Sequence, residues 1–175
     1  MSEYPKTRID SHGVVLQFAA LPFRTASGYV EILLITSRET QRWIIPKGWP
    51  IRGLRPRDVA AREAFEEAGL VGTIVGKRSI GSYHYRKRLP DNREILCHVK
   101  VFLLAVDHQA DTWKEKEQRE CEWMSPQKAA RLIDDRPLAE LFRTALPAIR
   151  SFSAKEGKGR TARGNPTTVS DGSRA

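Results

Sequence analysis

The sequence predicts an α+β fold, or a layered α/β/α arrangement, from three observations. The predicted elements run as strands, one helix, further strands and then two helices, which differs from a regular βαβ alternation. The first helix carries alanines that allow close packing on a sheet. Residues 93–107 become continuously apolar, as a central strand covered on both faces does.

The first predicted elements are strands. Residues 12–21 begin with β-branched and apolar residues, and residues 29–37 repeat this composition after a glycine-containing connection, which predicts a hairpin. Residues 42–46 form a short buried strand that ends at Pro46. Glycine and proline recur over residues 47–56, so this stretch is predicted to be a structured loop.

The first helix is bounded by clear signals. Pro56 suits the first helical turn, where its missing N–H would be unpaired anyway. Gly69 is the natural C-cap. At about 100° per residue, two faces separate. The apolar face is predicted to contain Ala61, Ala64, Phe65 and Ala68, and the opposite face Glu63, Glu66 and Glu67.

The second half of the chain predicts more strands and two helices. They are a broken strand over 72–88, a central strand over 93–107, a strand over 119–125, and helices over 125–133 and 138–152. Gly76 and Gly81 are expected to bend the broken strand. Ser125 is the expected N-cap of the penultimate helix, and Pro147 is expected to end or kink the last one.

Composition and charge predict one folded domain, residues 8–150, and a tail, residues 151–175. The chain has 175 residues and a net charge of +9. The tail is basic and rich in Gly, Ser and Thr, so it is expected to be disordered and to make only weak electrostatic contact with nucleic acid. No apolar run approaches the roughly 20 residues that span a bilayer, and no signal peptide is evident. A cytoplasmic protein without membrane contact is the expectation.

The carboxylates of the first helix need an explanation. Like charges at i, i+3 and i, i+4 spacing repel one another, so water, neighbouring arginines or a bound cation must offset them. Three carboxylates after a glycine-rich loop offer the oxygen ligands that Mg²⁺ prefers, with room for a second cation. A solvated acidic face balanced by arginines is the alternative.

The stretch Gly48–Leu70 resembles the Nudix box. It reads G-x5-L-x7-R-E-A-x-E-E-A-G-L, against G-x5-E-x7-R-E-U-x-E-E-x-G-U for the family, where U is aliphatic. Eight of the nine fixed positions agree. Leu54 departs, since it stands where the family has its first glutamate, a residue that mostly steadies the loop.

The resemblance implies a Nudix α/β/α sandwich with a mixed β-sheet and a pyrophosphohydrolase that uses Mg²⁺ or Mn²⁺. By matching positions, the expected metal ligands are Glu63, Glu67 and the Gly48 carbonyl; Glu66 is the proton acceptor or a further ligand; and Arg62 holds the carboxylates in place.

Three stretches extend the resemblance: RWIIPKG before the box, AREAFEEAGLVGT within it and RECEWMSPQKAARLI after it. They are similar to the diphosphoinositol polyphosphate phosphohydrolase branch of the family, over roughly residues 12–145. A polyphosphorylated small-molecule substrate is therefore expected, of the diphosphoinositol polyphosphate or diadenosine polyphosphate type. The candidate phosphate-binding residues are Lys47, Arg52, Arg55, Arg86, Lys87 and Arg88. Several charge-assisted contacts would favour such a ligand.

Other functions stay open at this point. Tyr83, Tyr85 or Trp49 stacked on a base would favour the diadenosine type. ADP-ribose, (d)NTPs and RNA 5′-phosphates are alternative substrates. A non-catalytic nucleotide-binding protein is a further alternative, for which Leu54 would be the sign of decay.

Overall fold

The computed structural model describes residues 14–89 and 91–161, with side chains as far as residue 156. Within these residues the strands are β1 (Val15–Ala26), β2 (Tyr29–Thr36), β3 (Trp43–Ile44), β4 (Lys47–Gly48), β5 (Leu70–Val75), β6 (Gly81–Arg88), β7 (Glu94–Gln109) and β8 (Cys121–Met124). The helices are α1 (Pro56–Ala68), α2 (Pro126–Leu132), α3 (Arg136–Thr161) and a short 3₁₀ turn, Lys116–Gln118.

All of these strands belong to one mixed sheet. Its main path is β3-β2-β1-β7-β5, and β4, β6 and β8 add to β1, β7 and β2 respectively. The central pair β1 and β7 is parallel, with Val15 opposite Cys97 and Phe23 opposite Ala105. The pairs that surround it are antiparallel.

Helices cover both faces of the sheet, because successive strand residues alternate between the faces. On one face α1 packs Val59 and Ala64 against Phe18 and Leu33. The other face forms a second cluster with α2 and α3, to which Phe142 belongs. The predicted α+β class and α/β/α sandwich are confirmed.

The bounds of α1 agree with the sequence prediction, but its buried face does not. Gly69 caps the helix in the left-handed conformation, at φ 67°, and donates its N–H to Phe65 and Ala64 carbonyls. Phe65, predicted to lie on the apolar, packed face, is 43% exposed, whereas Glu67, predicted to point away from the core into a cleft or solvent, is buried. Relative to the predicted orientation, the helix is rotated so that Glu67 reaches polar partners inside the protein, described below. Phe65 consequently faces solvent.

The last helix is longer than predicted. Pro147 lies within α3 and does not end it. The helix continues through residues 151–161, which the sequence assigned to a disordered tail, so the predicted boundary falls inside a helix. Phe152 packs edge-on against Phe23 at 5.9 Å between ring centroids, which gives this extension an apolar anchor. Residues 162–175 of the predicted tail lie outside the described residues.

Two strand predictions need correction. β1 extends to Ala26, because residues 23–26 pair with β2 up to a turn at Ser27 and Gly28. The predicted loop after Pro46 contains β4, which pairs with β1 and thereby fixes Gly48 beside the sheet. Across residues 14–89 and 91–161, none of the helices is both long and apolar enough for a membrane span.

Candidate active site

A cleft of about 930 Å³ opens where β4, β6, α1 and the connections to β8 and α3 meet. Several of the predicted site residues line it: Lys47, Gly48, Glu63, Glu67, Arg86, Lys87 and Arg88. Others do not: Arg52, Arg55, Arg62 and Glu66 lie outside its lining. The cleft thus divides the predicted set in two.

Glu63 lies directly against the backbone of Gly48. A Cβ atom added at Gly48 would be 2.1 Å from the Glu63 carboxyl carbon and from Oε1. Glycine is therefore required here for close approach rather than for an unusual φ. Burial, followed by the charges of Glu67, Glu66 and Glu115, raises the pKa of Glu63 to about 7. This site favours a cation beside the carboxylate.

Glu67 is a buried carboxylate with partners far away in sequence. Its Oε2 accepts the backbone N–H of Lys47 at 3.0 Å, and its Oε1 accepts Arg119 Nη2 at 2.5 Å. Burial raises the pKa of Glu67, against the opposing charges of Arg119 and Lys47. The carboxylate is positioned by β4 on one side and by the β7–β8 connection on the other.

Glu66 is turned away from the cleft. Its carboxylate accepts Arg62 Nε and Lys114 Nζ, each at 2.7 Å. Hydrogen bonds from Lys114 and Arg62 lower its pKa. Because Lys114 and Arg62 are more than half exposed, this is a solvent-facing ion-pair cluster in the described conformation.

The same cleft also carries cationic side chains. Lys47 Nζ lies 5.3 Å from the centre of the Tyr85 ring, and Lys87 Nζ lies 5.0 Å from that of Trp49. Burial lowers the pKa of Lys47 to about 8, which the Glu67 carboxylate opposes. Two of the three rings that the sequence offered as candidate base-stacking groups, Tyr85 and Trp49, thus contact ammonium groups here, whereas Tyr83 is buried.

Two of the predicted phosphate ligands are placed elsewhere. Arg55 donates to Asp58 through Nε at 2.6 Å and Nη2 at 3.1 Å, in an exposed i, i+3 pair. Arg52 lies in the exposed turn before α1. Leu54, at the departing motif position, is 38% exposed, and its N–H donates to the Ile51 carbonyl at 3.1 Å.

The sequence analysis missed several charged residues that line the cleft: Arg38, Arg42, Glu115 and Arg119. Glu115 and Arg119 lie at i, i+4 in the β7–β8 connection, and Arg119 Nε donates to Glu115 Oε2 at 2.7 Å. That spacing was the only available signal, and it is typical of any surface ion pair. Their burial could not be read from the sequence.

The carboxylate oxygens that line this cleft are of the ligand type that hard divalent cations prefer. Glu63, Glu67 and Glu115 line it together with Gly48, whose missing Cβ leaves space for the Glu63 carboxylate. In the described part of the chain, however, no three carboxylates converge closely enough to hold a metal ion. The guanidinium of Arg119 lies between Glu67 and Glu115 and pairs with both.

Comparison with known proteins identifies the family. The NUDIX domain family model matches residues 15–145. The chain belongs to the NUDIX family. Nudix hydrolase 16, mitochondrial, of Arabidopsis thaliana is 30% identical over 103 residues, which are 57% of this chain and 56% of the relative. The chain therefore spans little more than half the length of that relative.

Two further similarities concern substrates and fold. Diphosphoinositol polyphosphate phosphohydrolase 3-beta of Bos taurus is 28% identical over 126 residues, 71% of this NUDIX chain and 72% of the relative. The crystal structure of a C. elegans Ap4A hydrolase binary complex superposes with a TM-score of 0.61 at 20% identity, covering 79% of this chain and 99% of that one. At this identity the superposition supports the NUDIX fold alone.

Proposed function

We propose that this NUDIX protein is a divalent-metal-dependent pyrophosphohydrolase that cleaves a phosphoanhydride bond in a polyphosphorylated small molecule. One observation carries the proposal: a single cleft holds the carboxylates of Glu63 and Glu67 together with cations that include Lys47 and Lys87. Cleavage of a P–O–P bond needs both, because phosphate charge must be neutralised while a water is activated.

The proposed metal ligands are the carboxylates of Glu63 and Glu67 and the carbonyl of Gly48. A bound Mg²⁺ or Mn²⁺ would neutralise phosphate oxygens and make the attacking water more acidic. The raised pKa of Glu63 supports this assignment, since the metal-free site disfavours its ionised form. Glu115 is a further candidate, because it lines the same cleft.

Glu66 is proposed as the proton acceptor or a further ligand, with Arg62 holding it in place. Its carboxylate is now paired with Arg62 and Lys114 outside the cleft lining. For Glu66 to act on the substrate, the exposed contact between Lys114 and Glu66 must open. The Arg62 contact, at i, i+4 on the same helix, can persist through that change.

The proposed substrate is of the diphosphoinositol polyphosphate or diadenosine polyphosphate type. Phosphate groups are bound in this proposal by Lys47, Arg86, Lys87 and Arg88, with Arg38 and Arg42 at the other rim. Similarity to a diphosphoinositol polyphosphate phosphohydrolase supports the first type. Arg52 and Arg55 stay in the proposal only as outer, weakly contributing cations. The cytoplasm is the proposed compartment, in keeping with the free thiols of Cys97 and Cys121.

The test is a substrate screen with purified protein and Mg²⁺. The substrates are diphosphoinositol polyphosphates, diadenosine polyphosphates, ADP-ribose, and capped or triphosphorylated RNA. We expect turnover of one of the first two classes, and strong loss in Glu63→Gln and Glu67→Gln. Turnover of ADP-ribose or RNA alone would contradict the proposed substrate class. Binding of these compounds without turnover of any of them would contradict the proposal that the protein is an enzyme. Glu66→Gln with wild-type kcat would exclude Glu66 as the proton acceptor.

A further inference from the structure

We propose that Arg119 is a positioning residue that serves as an internal counter-ion for Glu67 and Glu115 and competes with divalent cations for them. The proposal deepens the proposed function, since it rests on Glu67 being a metal ligand. Arg119 lies outside the Nudix box, in the connection between β7 and β8.

The geometry of the guanidinium carries the first step. Each of its three nitrogens has its own acceptor: Nη2 donates to Glu67 at 2.5 Å, Nε to Glu115 at 2.7 Å, and Nη1 to the Thr36 carbonyl at 2.9 Å. The planar fork of arginine can satisfy such divergent acceptors, whereas a lysine ammonium acts as a point charge. Arg119 thereby connects α1, β2 and its own connection.

Burial makes this counter-ion necessary in the metal-free protein. The side chains of Arg119, Glu67 and Glu115 are 6%, 9% and 12% exposed. A buried carboxylate without a partner is strongly destabilising, and arginine is protonated at every relevant pH. Arg119 therefore keeps the carboxylate side of the cleft folded before a metal arrives.

The same position creates competition. Arg119 occupies the space between Glu67 and Glu115, and no three carboxylates of the described chain converge on a metal position. A unit positive charge within a few ångströms repels a divalent cation and weakens its binding by about tenfold or more. Metal binding must then exchange Arg119 contacts for metal–oxygen contacts.

The second contact of Glu115 makes that exchange feasible. Its other oxygen, Oε1, lies 3.4 Å from Arg38 Nη1, and Arg38 also donates to Gln118 at 3.2 Å. The backbone N–H of Glu115 donates to the Glu66 carbonyl at 3.1 Å, so the connection stays attached to α1. When the Arg119 side chain shifts, Glu115 therefore keeps a cationic partner and its backbone contact with α1.

The experiment measures Mn²⁺ binding directly, by the loss of the free-Mn²⁺ signal in electron paramagnetic resonance, on the full chain. Wild type is compared with Arg119→Gln, Arg119→Lys and the matched control Arg24→Gln. Arg24 also pairs with a glutamate, Glu31 at 2.7 Å, but lies outside the cleft lining. Thermal unfolding with and without Mn²⁺ supplies the second readout.

We expect Arg119→Gln to unfold at a lower temperature without Mn²⁺, to bind Mn²⁺ about tenfold more tightly than wild type, and to recover stability when Mn²⁺ is added. Arg119→Lys keeps the positive charge but not the planar fork that reaches Glu67, Glu115 and the Thr36 carbonyl together, so it should bind with intermediate affinity. Arg24→Gln should bind like wild type. If Arg119→Gln does not fold, the Mn²⁺ affinity of Arg119→Lys is compared with that of wild type, and an unchanged affinity overturns the inference.

Unchanged Mn²⁺ affinity in both Arg119 variants, with an equal loss of stability at every Mn²⁺ concentration, would show a purely structural arginine and overturn the inference. Absence of Mn²⁺ binding in wild type and variants alike would overturn the metal site as well. Hydrolysis of the proposed substrates by wild type, measured in parallel, separates failure of the inference from failure of the proposed function.

Discussion

The side of α1 that faces the cleft and the side that faces solvent carry similar charges but balance them differently. On the solvent side, Arg62 pairs with Glu66 and Arg55 with Asp58, each within one helical turn. On the cleft side, Glu67 reaches partners 20 and 52 residues away. The solvent-side pairs are local and hydrated, whereas the cleft-side contacts are distant and buried.

The two kinds of ion pair differ in how much they affect stability. Exposed ion pairs contribute little to stability, with a median of about 0–1 kcal/mol, because water and salt screen them. A buried charge that loses its partner is far more destabilising, by about 3–5 kcal/mol. A carboxylate that stays buried although loss of its partner would destabilise the protein is typical of a functional site. Variants on the two sides should therefore differ sharply.

The largest contrast is expected between Glu67→Gln and Arg62→Gln. Glu67→Gln leaves the buried Arg119 without one carboxylate, so we expect the free energy of unfolding to fall by about 3 kcal/mol. Arg62→Gln removes only an exposed i, i+4 pair and should lower it by less than about 0.5 kcal/mol. Urea unfolding measures both. Similar losses would show that the two sides of α1 are energetically equivalent.

Gly48→Ala should damage the cleft side without removing a charge. The added methyl group would overlap the Glu63 carboxyl group, so this side chain must move away from the β4 backbone. We expect kcat/KM to fall about 10–100-fold, the range seen when groups that orient a metal ligand are altered. Steady-state kinetics measures this. Wild-type activity would mean that the approach of Glu63 to Gly48 is unimportant.

Glu63 predicts a pH dependence opposite in sign to that of the solvent-facing Glu66, because the pKa of Glu63 is raised and that of Glu66 is lowered. The folded pKa of Glu63, about 7, lies above the ordinary value of 4.5. As pH rises from 4.5 to 7 the unfolded chain releases this proton first, so the stability that Glu63 contributes at low pH is lost and then stays constant. Because Glu63 is partly exposed, we expect about 2 kcal/mol rather than the full difference.

The measurement is metal-free unfolding of wild type and Glu63→Gln between pH 4.5 and 8, with a chelator present. The stability of wild type relative to the variant should fall through this window. Added Mg²⁺ should restore wild type most above pH 7, where the carboxylate is ionised. A difference that does not change with pH would contradict the shifted pKa.

The smallest contrast concerns two of the candidate phosphate-binding residues, Lys87 and Arg55. Lys87 lies in the cleft over the Trp49 ring, whereas Arg55 is paired with Asp58 outside it. Loss of one charge-assisted phosphate contact should raise KM about tenfold in Lys87→Gln. Arg55→Gln should change KM by less than about twofold, since its partner is local. Equal effects would return Arg55 to the phosphate site.

Local signals explain what could be predicted of the fold. Helix α1 begins at Pro56 and is capped by Gly69, as predicted, because both residues act through their own backbone geometry. Ser125 caps α2 by accepting the Lys128 N–H at 3.2 Å. In contrast, Phe65 was assigned to the buried face and is exposed, whereas Glu67 was assigned to a face pointing into a cleft or solvent and is buried. A rotation of the helix by a fraction of a turn reverses such assignments, and only packing fixes that rotation.

The site shows the same division. The box residues Gly48, Glu63 and Glu67 meet in one cleft, since a short helix and its preceding strand hold them together. Glu115 and Arg119 were missed, because they join the cleft through a connection some fifty residues further along the chain. The local sequence of that connection resembles any exposed, charged loop.

By itself, the sequence determined the α+β class, the bounds of α1 and the family, because periodicity, caps and motif spacing are properties of neighbouring residues. The tertiary structure alone decided which of the three neighbouring glutamates face the cleft and which basic side chains line it with them. The physical reason is that a charge selects its partner in space. Lys47, Arg119 and Glu67 meet only when β4, α1 and the β7–β8 connection pack together.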